Sequence, residues 1–314
     1  MMLKNKGFIF KVNADSSWMY SHSQVPSLVE LDKCYRIYFA TRNMKDDYGL
    51  VLSRGAYIDV DKKNMQRILS VSKSPVLDVG EPGAFDAHGS QPACFLEIDN
   101  SSYMYYTGWS RRVDVPYATS IGIAKSLDAG NYYEKIHLGP IMSITPDEPY
   151  LCNGPGSIIK KDNRLHMFYS SGVRWIERNI GYEPVYVIKK ALSDDGIHWQ
   201  RNAEPIIMPK MQYECQNSPS VIYFNDLFHM WFCYREALDF RNSDRGYRIG
   251  YAYSYDSNYW YRDDANSGID ISEQGWDSEM QCYPSAYILN NRVTILYCGN
   301  YFGRDGIGFV ELGN

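Results

Sequence analysis

The stretch Gln91-Pro92-Ala93-Cys94-Phe95-Leu96-Glu97, a polar turn at Asp99-Asn100, and then Tyr103-Met104-Tyr105-Tyr106-Thr107-Gly108-Trp109 decides the fold. Two short runs around a turn pair, the second rich in aromatics, read as antiparallel strands joined by a tight turn. The unit recurs four times. Pro26 is followed by Ile37-Tyr38-Phe39, Pro155 by Met167-Phe168-Tyr169, Pro219 by Met230-Trp231-Phe232 and Pro284 by Ile295-Leu296-Tyr297. In every copy the Met or Ile follows its proline by 11 or 12 residues, and successive prolines are 63 to 66 residues apart. A long fixed period of this kind means a repeat architecture. Met104, Met167 and Met230, which recur in register, read as core.

Each copy continues past its first two strands. Copy two adds Ile121-Gly122-Ile123-Ala124 and Tyr132-Tyr133-Glu134-Lys135; copy three adds Val187-Ile188-Lys189-Lys190-Ala191 and a turn ending at His198-Trp199. Four antiparallel strands per copy make a propeller blade. The expected fold is therefore all-β: a five-bladed β-propeller forming one domain over residues 1–314, with no linker-like tract inside it. Copy five ends one strand short, and Gly7–Val12 is a strand without a copy of its own. It is expected to supply the outer strand of the last blade, which would remove an exposed sheet edge.

Composition excludes several classes. A net charge of −5 argues against a general nucleic-acid binder. Seven cysteines scattered without a C-x-x-C pair argue against a disulfide framework and a zinc site, and point to a reducing, cytoplasmic location. No metal or cofactor site is expected. No run approaches the roughly 18 apolar residues of a membrane helix, so no membrane partner is expected either.

Strand direction locates the chemistry. With strands A to D running outward from the axis, the start of A and the end of B share one face, and the C–D turns lie on the other. The Ser193-Asp194-Asp195-Gly196 turn falls on that far face and reads as a hydrogen-bonded turn. Segments leading into strand A bring Asp86, Glu148, Glu214, Asp277 and Glu279 toward the axial mouth, together with His22, His88, Tyr150, Asn153, Asn217 and Tyr283. Ends of strand B add Arg42, Trp109, Arg174, Trp175, Arg235 and Asn300. Aromatic faces stack on sugar rings, polar groups fix hydroxyls and paired carboxylates cleave acetals, so this funnel is sugar chemistry. Among the loop arginines, Arg42 and Arg235 occupy equivalent strand ends nearest the axis and, with Arg174, are expected to bind an anion. Acids such as Asp114, Glu177, Glu183, Asp239 and Asp244 share the loops and offer salt bridges to the rest.

At these residues the chain resembles the five-bladed propeller glycosidases, glycoside hydrolase families 32, 43, 68 and 130, and a glycosidase-like branch linked to surface-polysaccharide loci. Glu214-Cys215 resembles the Glu-Cys acid motif of family 32, and Gly275-Trp276-Asp277-Ser278-Glu279-Met280 with Asn300-Tyr301-Phe302-Gly303 resembles the polysaccharide-locus branch. The resemblance implies an enzyme acting on a glycosidic bond, a hydrolase or a phosphorylase, with Asp86, Glu214 and Glu279 as catalytic residues and Glu214 as proton donor. It implies a carbohydrate substrate, an anionic or phosphorylated sugar or surface-polysaccharide unit, with inorganic phosphate as second substrate in the phosphorylase case. Where families 32 and 43 carry a blade-one Asp, this chain reads His22-Ser23-Gln24-Val25-Pro26. A glycosyltransferase with a related site and a non-catalytic glycan-binding propeller are the alternatives.

Overall fold

In the computed structural model, which describes residues 2–14, 16–47, 49–241 and 245–313, nearly all regular structure is strand. The first strand, β1 (Met2–Phe10), precedes the repeats. Repeat one holds β2 (Ser21–Glu30), β3 (Tyr35–Arg42), β4 (Ser53–Asp61) and β5 (Asn64–Val71). Repeat two holds β6 (Gly89–Ile98), β7 (Ser101–Arg111), β8 (Tyr117–Ser126) and β9 (Tyr133–Lys135). Repeat three holds β10 (Leu151–Lys161), β11 (Arg164–Glu177), β12 (Tyr182–Ser193) and β13 (Gln200–Arg201). Repeat four holds β14 (Cys215–Phe224), β15 (Leu227–Arg235), β16 (Arg248–Ser254) and β17 (Tyr261–Arg262). Repeat five holds β18 (Cys282–Leu289), β19 (Arg292–Cys298) and β20 (Ile307–Gly313).

Within each repeat, neighbouring strands pair antiparallel in chain order. Repeats one and two join through a single parallel bridge, Ser53 to Gly89. β1 pairs antiparallel with β20 and adds the fourth strand to the last sheet. The hairpins between first and second strands follow from their turn residues. Asp99-Asn100, Asp162-Asn163, Asn225-Asp226 and Asn290-Asn291 all have positive φ at both positions. Asn and Asp tolerate that conformation, and such turns match the twist of the flanking strands.

The second strand of each repeat is apolar at its centre because a sheet covers each of its faces there. Ile37, Phe39, Met104, Tyr105, Phe168, Met230, Trp231 and Leu296 are all fully buried. One face packs forward and the other backward. Tyr38 and Phe95 stack at 4.2 Å between repeats one and two. Tyr105 and Met167 share a cluster between two and three, Phe168 and Met230 between three and four, and Trp231 and Tyr297 between four and five. A further cluster joins Leu296 and Phe309 to Ile37, Phe39 and Ile9, so that repeat five packs on repeat one. Burying one such side chain stabilises the fold by about 1.5–3 kcal/mol.

Each first strand carries a bulge at its proline. The residue before it has positive φ in four repeats: Val25, Gly154, Ser218 and Tyr283. Register slips occur at Gln24/Ser27, Pro92/Cys94, Asn153/Pro155, Asn217/Ser220 and Cys282/Ser285. A bulge bends the strand and re-aims its side chains, and these five bulges surround one cavity. The turn at Ser193 is hydrogen-bonded as expected: Gly196 N donates to Ser193 Oγ, and Ile197 N and His198 N to Asp195 Oδ1. All seven cysteines are free.

Candidate functional site

The cavity holds about 350 Å3. The bulges deliver Gln24, Gln91, Asn153, Asn217 and Tyr283 to its wall. Trp109, Tyr117, Tyr186, Phe240, Tyr247 and Phe302 supply ring surface, and Arg42, Arg111, Arg235, Arg241 and Glu183 supply charge. Four amides from four successive repeats thus stand around one space. An amide both donates and accepts, and its partner in water-exposed space is well matched by a sugar hydroxyl. Asn217 Oδ1 accepts from Ser170 Oγ at 2.8 Å and from the Ser218 amide at 2.8 Å, which fixes the side chain. Gly89 makes room for Trp109: a Cβ there would fall 1.6 Å from the indole Nε1.

Six sequence-derived candidates line this cavity: Arg42, Trp109, Asn153, Asn217, Arg235 and Tyr283. The others do not. Trp175 packs behind Tyr117, its ring centroid 5.7 Å away and nearly perpendicular. His22 bonds Ser21 Oγ at 2.9 Å. His88 lies beside the Trp109 ring at 6.2 Å and accepts from the Arg111 amide. Tyr150 is exposed. Arg174 reaches the Tyr213 hydroxyl at 3.2 Å. Asn300 is a clamp, accepting from the amides of Glu279 and Met280 and donating to Gly275 O.

The three expected catalytic acids are not brought together. Asp86, almost fully buried, accepts from the Tyr106 hydroxyl at 3.0 Å and pairs with Lys135 at 2.7 Å. Glu214, fully buried, pairs with Arg262 at 2.6 Å and accepts from Gln216 Nε2 at 2.8 Å. Neither lines the cavity. Glu279 turns to the Tyr301 hydroxyl, whose proton it holds more tightly than in water. Asp277 and Glu148 complete a pattern. Asp277 accepts from Tyr297 and Gln281 and pairs with Lys6 at 2.7 Å. Glu148 accepts from Tyr169 and Ser171 and lies 3.6 Å from Arg201. Lys135, Arg201 and Arg262 each end the outermost strand of their repeat, and Lys6 lies in β1. Asp86, Glu148, Glu214 and Asp277 are therefore latches that pin the outermost strand to its sheet. The acids lie in the segments before the first strands and their cations on outer strands far away in sequence, which is why the acids looked like site residues.

The residues that sequence reasoning missed are the amides Gln24 and Gln91, the rings Tyr117, Tyr186, Phe240, Tyr247 and Phe302, and the charges Glu183, Arg111 and Arg241 as wall residues. A signal for the amides was present: all four stand one or two residues before a repeat proline.

Electrostatically the cavity is positive. Glu183 is its one carboxylate among the described residues, and Arg241 at 3.0 Å and Arg178 at 3.4 Å already hold it. Arg112, Arg245 and Arg304 have acid partners too. Asp244 lies outside the described residues. No carboxylate among the described residues pairs with Arg42 or Arg235. Burial pulls the Arg42 pKa down, as does the nearby Arg241. His22 is lowered to about 3 by burial, Arg42 and Arg304, and so stays neutral. Burial pushes Tyr117 up to about 12, and its hydroxyl meets that of Tyr186 at 2.7 Å. The wall therefore offers neutral hydroxyls, amides and rings around uncompensated guanidinium groups. It does not offer two carboxylates facing one bond.

The fold is shared with solved propeller-type glycosidases. A structure of a BT0996 complex with RGII superposes with a TM-score of 0.76 at 16% identity, covering 99% of this chain and 93% of that one. A thermostable family-43 glycoside hydrolase gives 0.65 at 14% identity, over 96% and 92%. A structure of the family of mannoside phosphorylases that contains glycoside hydrolases targeting β-1,2-mannosidic linkages in Candida mannan gives 0.66 at 14% identity, over 99% and 94%. No protein-family model matches the chain. Uncharacterized protein MT1551 of Mycobacterium tuberculosis (strain CDC 1551 / Oshkosh) and uncharacterized protein Rv1502 of strain H37Rv are each 30% identical over 318 residues, all of both chains. The chain belongs to the same family as these two mycobacterial proteins.

Proposed function

We propose that the chain is a closed five-bladed propeller, a single domain over residues 1–314, and that its axial cavity is the site of a cytoplasmic carbohydrate-active enzyme. One observation carries the reading: four amides, seven aromatic rings and a positive wall converge on one cavity, at the bulges of a fold shared with solved glycosidases. Support for closure comes from the packing of repeat five on repeat one and from the β1–β20 pairing.

The charge inventory selects among reactions. Hydrolysis of a glycosidic bond calls for two carboxyl groups, roughly 5–5.5 Å apart for retention and 6.5–9.5 Å apart for inversion. A cavity wall with one carboxylate, held by two arginines, does not supply that pair. Transfer to phosphate asks for less. A phosphate oxygen bonds the anomeric carbon, the glycosidic oxygen leaves, and the proton of hydrogen phosphate ends on the departing hydroxyl. Phosphorolysis, or its reverse, is therefore favoured over hydrolysis, with Arg42 and Arg235 placed to hold the anion. The amides standing where acids would be needed also favour a second reading, a non-catalytic glycan-binding propeller.

The test is turnover of oligosaccharides with and without inorganic phosphate, read as sugar phosphate and reducing ends. Phosphate-dependent release of a sugar phosphate is expected. Equal release of reducing sugar without phosphate overturns the phosphorolytic reading. Saturable oligosaccharide binding without turnover establishes the binding module.

A further inference from the structure

We propose that the cavity contains a dedicated site for the phosphoryl group of a sugar phosphate, formed by Arg42 and Arg235, the last residues of two equivalent strands. The inference rests on the reading of the cavity as a sugar site and names its substrate class. Arg42 pairs with Ser21 across β2 and β3, and Arg235 with Cys215 across β14 and β15. Both close their strands at the mouth, in repeats one and four.

Arg235 is 4% exposed and lines the cavity. Its guanidinium donates to three backbone carbonyls, Glu236 at 2.8 Å, Ala237 at 3.3 Å and Pro184 at 3.3 Å. Its Nε has no partner among the described residues. A guanidinium has five N–H donors, and taking its charge out of water without a counter-charge is unfavourable. The ring of Phe240 holds it from one side, 3.6 Å from the guanidinium carbon, and the same ring carries Arg241 at 4.7 Å. Arg42, partly buried, donates to the neutral amide of Gln24 at 3.2 Å.

Elsewhere the molecule answers its buried carboxylates with cations: Asp86, Glu148, Glu214 and Asp277 all have one within reach. At the cavity wall Arg42 and Arg235, together with the exposed Arg111, stand without a carboxylate among the described residues. The wall carries four guanidinium groups against one carboxylate. A uronic acid would bring one charge and leave Arg42 or Arg235 uncompensated. A phosphoryl dianion compensates both, and its oxygens suit the planar fork of arginine in two places at once. The amides Gln24, Gln91, Asn153 and Asn217 remain to take up sugar hydroxyls on the same wall.

The experiment is thermal-shift and calorimetric titration of the full chain with inorganic phosphate, hexose 1-phosphates, the corresponding neutral hexoses and glucuronic acid. It is repeated on Arg42→Gln and on Arg235→Lys, each first shown by circular dichroism to fold. Phosphate compounds are expected to bind, with Kd weakened roughly 10- to 150-fold in Arg42→Gln, the loss of one charged hydrogen bond, while any neutral-sugar Kd stays unchanged. Hexose phosphates binding far tighter than phosphate identify the ester as the ligand and support the site. Binding of neutral sugars alone overturns the phosphoryl site and leaves the sugar reading intact. Binding of phosphate without any sugar preference supports the site and overturns the sugar reading. No binding by any compound, or unchanged phosphate affinity in both variants, overturns the proposal.

Discussion

Two sets of buried charges in this molecule are built to opposite rules. Ahead of the proline in repeats two to five, an acid is locked to a cation on the outermost strand, as in Glu214 with Arg262 at 2.6 Å and Asp277 with Lys6 at 2.7 Å. At the cavity wall, Arg42 and Arg235 have no acid among the described residues. The first set is complete in the chain alone, so it serves the fold. The second set is complete only with something the chain does not contain. A charge left unanswered beside so many that are answered marks where a ligand's charge belongs.

The contrast can be broken most severely at β1. Deleting residues 1–12 removes the β20 partner strand and leaves Asp277 buried without Lys6; the expected result is a melting temperature lowered far beyond that of any point variant, and an unchanged melt would remove β1 from the scaffold. Next come the latches themselves. Glu214→Gln leaves Arg262 with Asp264 as its remaining acid at 3.0 Å, so a loss below the roughly 3–5 kcal/mol of a fully broken buried pair is expected. Urea denaturation should show that loss, and a variant as stable as wild type would return Glu214 to the catalytic candidates. The wall arginines should behave oppositely. Arg42→Gln is expected to leave stability unchanged or raised, since it deletes an unpaired charge, while phosphate binding weakens. A large stability loss in that variant would mean that Arg42 serves the fold after all.

The smallest expected effect is a pH dependence. His22 is lowered to about 3 and His166 to about 4, both first by burial and then by neighbouring cations. In the unfolded chain each returns to about 6.5. Below that value the unfolded state binds more protons, so stability falls as pH drops from about 6.5 toward 4. Melting curves between pH 4.5 and 7.5 should slope accordingly, less steeply in His22→Gln. Saturating phosphate should also flatten the slope, because an anion beside Arg42 relieves the charge that keeps His22 neutral.

The strands were readable because their causes are local. Aromatic runs, Asp-Asn turns and a repeated proline specify each hairpin from within a dozen residues, and β1 could be assigned by the strand that repeat five lacked. The site was readable only where side chains leave strand ends, as with Arg42, Trp109 and Arg235. The acids misled because counting back from the proline says how far a residue is from the bulge but not which way it turns. Asp86 and Glu214 turn outward to Lys135 and Arg262, cations 48 or 49 residues later in the chain. The amides Gln24, Gln91, Asn153 and Asn217 lie in the bulge itself, where a register slip re-aims the chain, and no alternation rule carries across a slip. Tyr117, Tyr186 and Tyr247 reach the cavity from third strands or the loops before them, where their pattern is indistinguishable from core.

The pairing of β1 with β20 also sets an order of events for synthesis. Residues 2–10 leave the ribosome about 300 residues before their hydrogen-bonding partners, residues 307–313. Until those emerge, Ile9, Phe39 and the rest of the cluster lack Ile307 and Phe309. Such contacts between distant parts of the chain close slowly, and the waiting strand presents an open edge to other nascent chains throughout translation. The alternating Lys4 and Lys6 of β1 give that edge charge during the wait. Lys6 therefore has two successive partners, water while the chain grows and Asp277 once the last repeat has emerged.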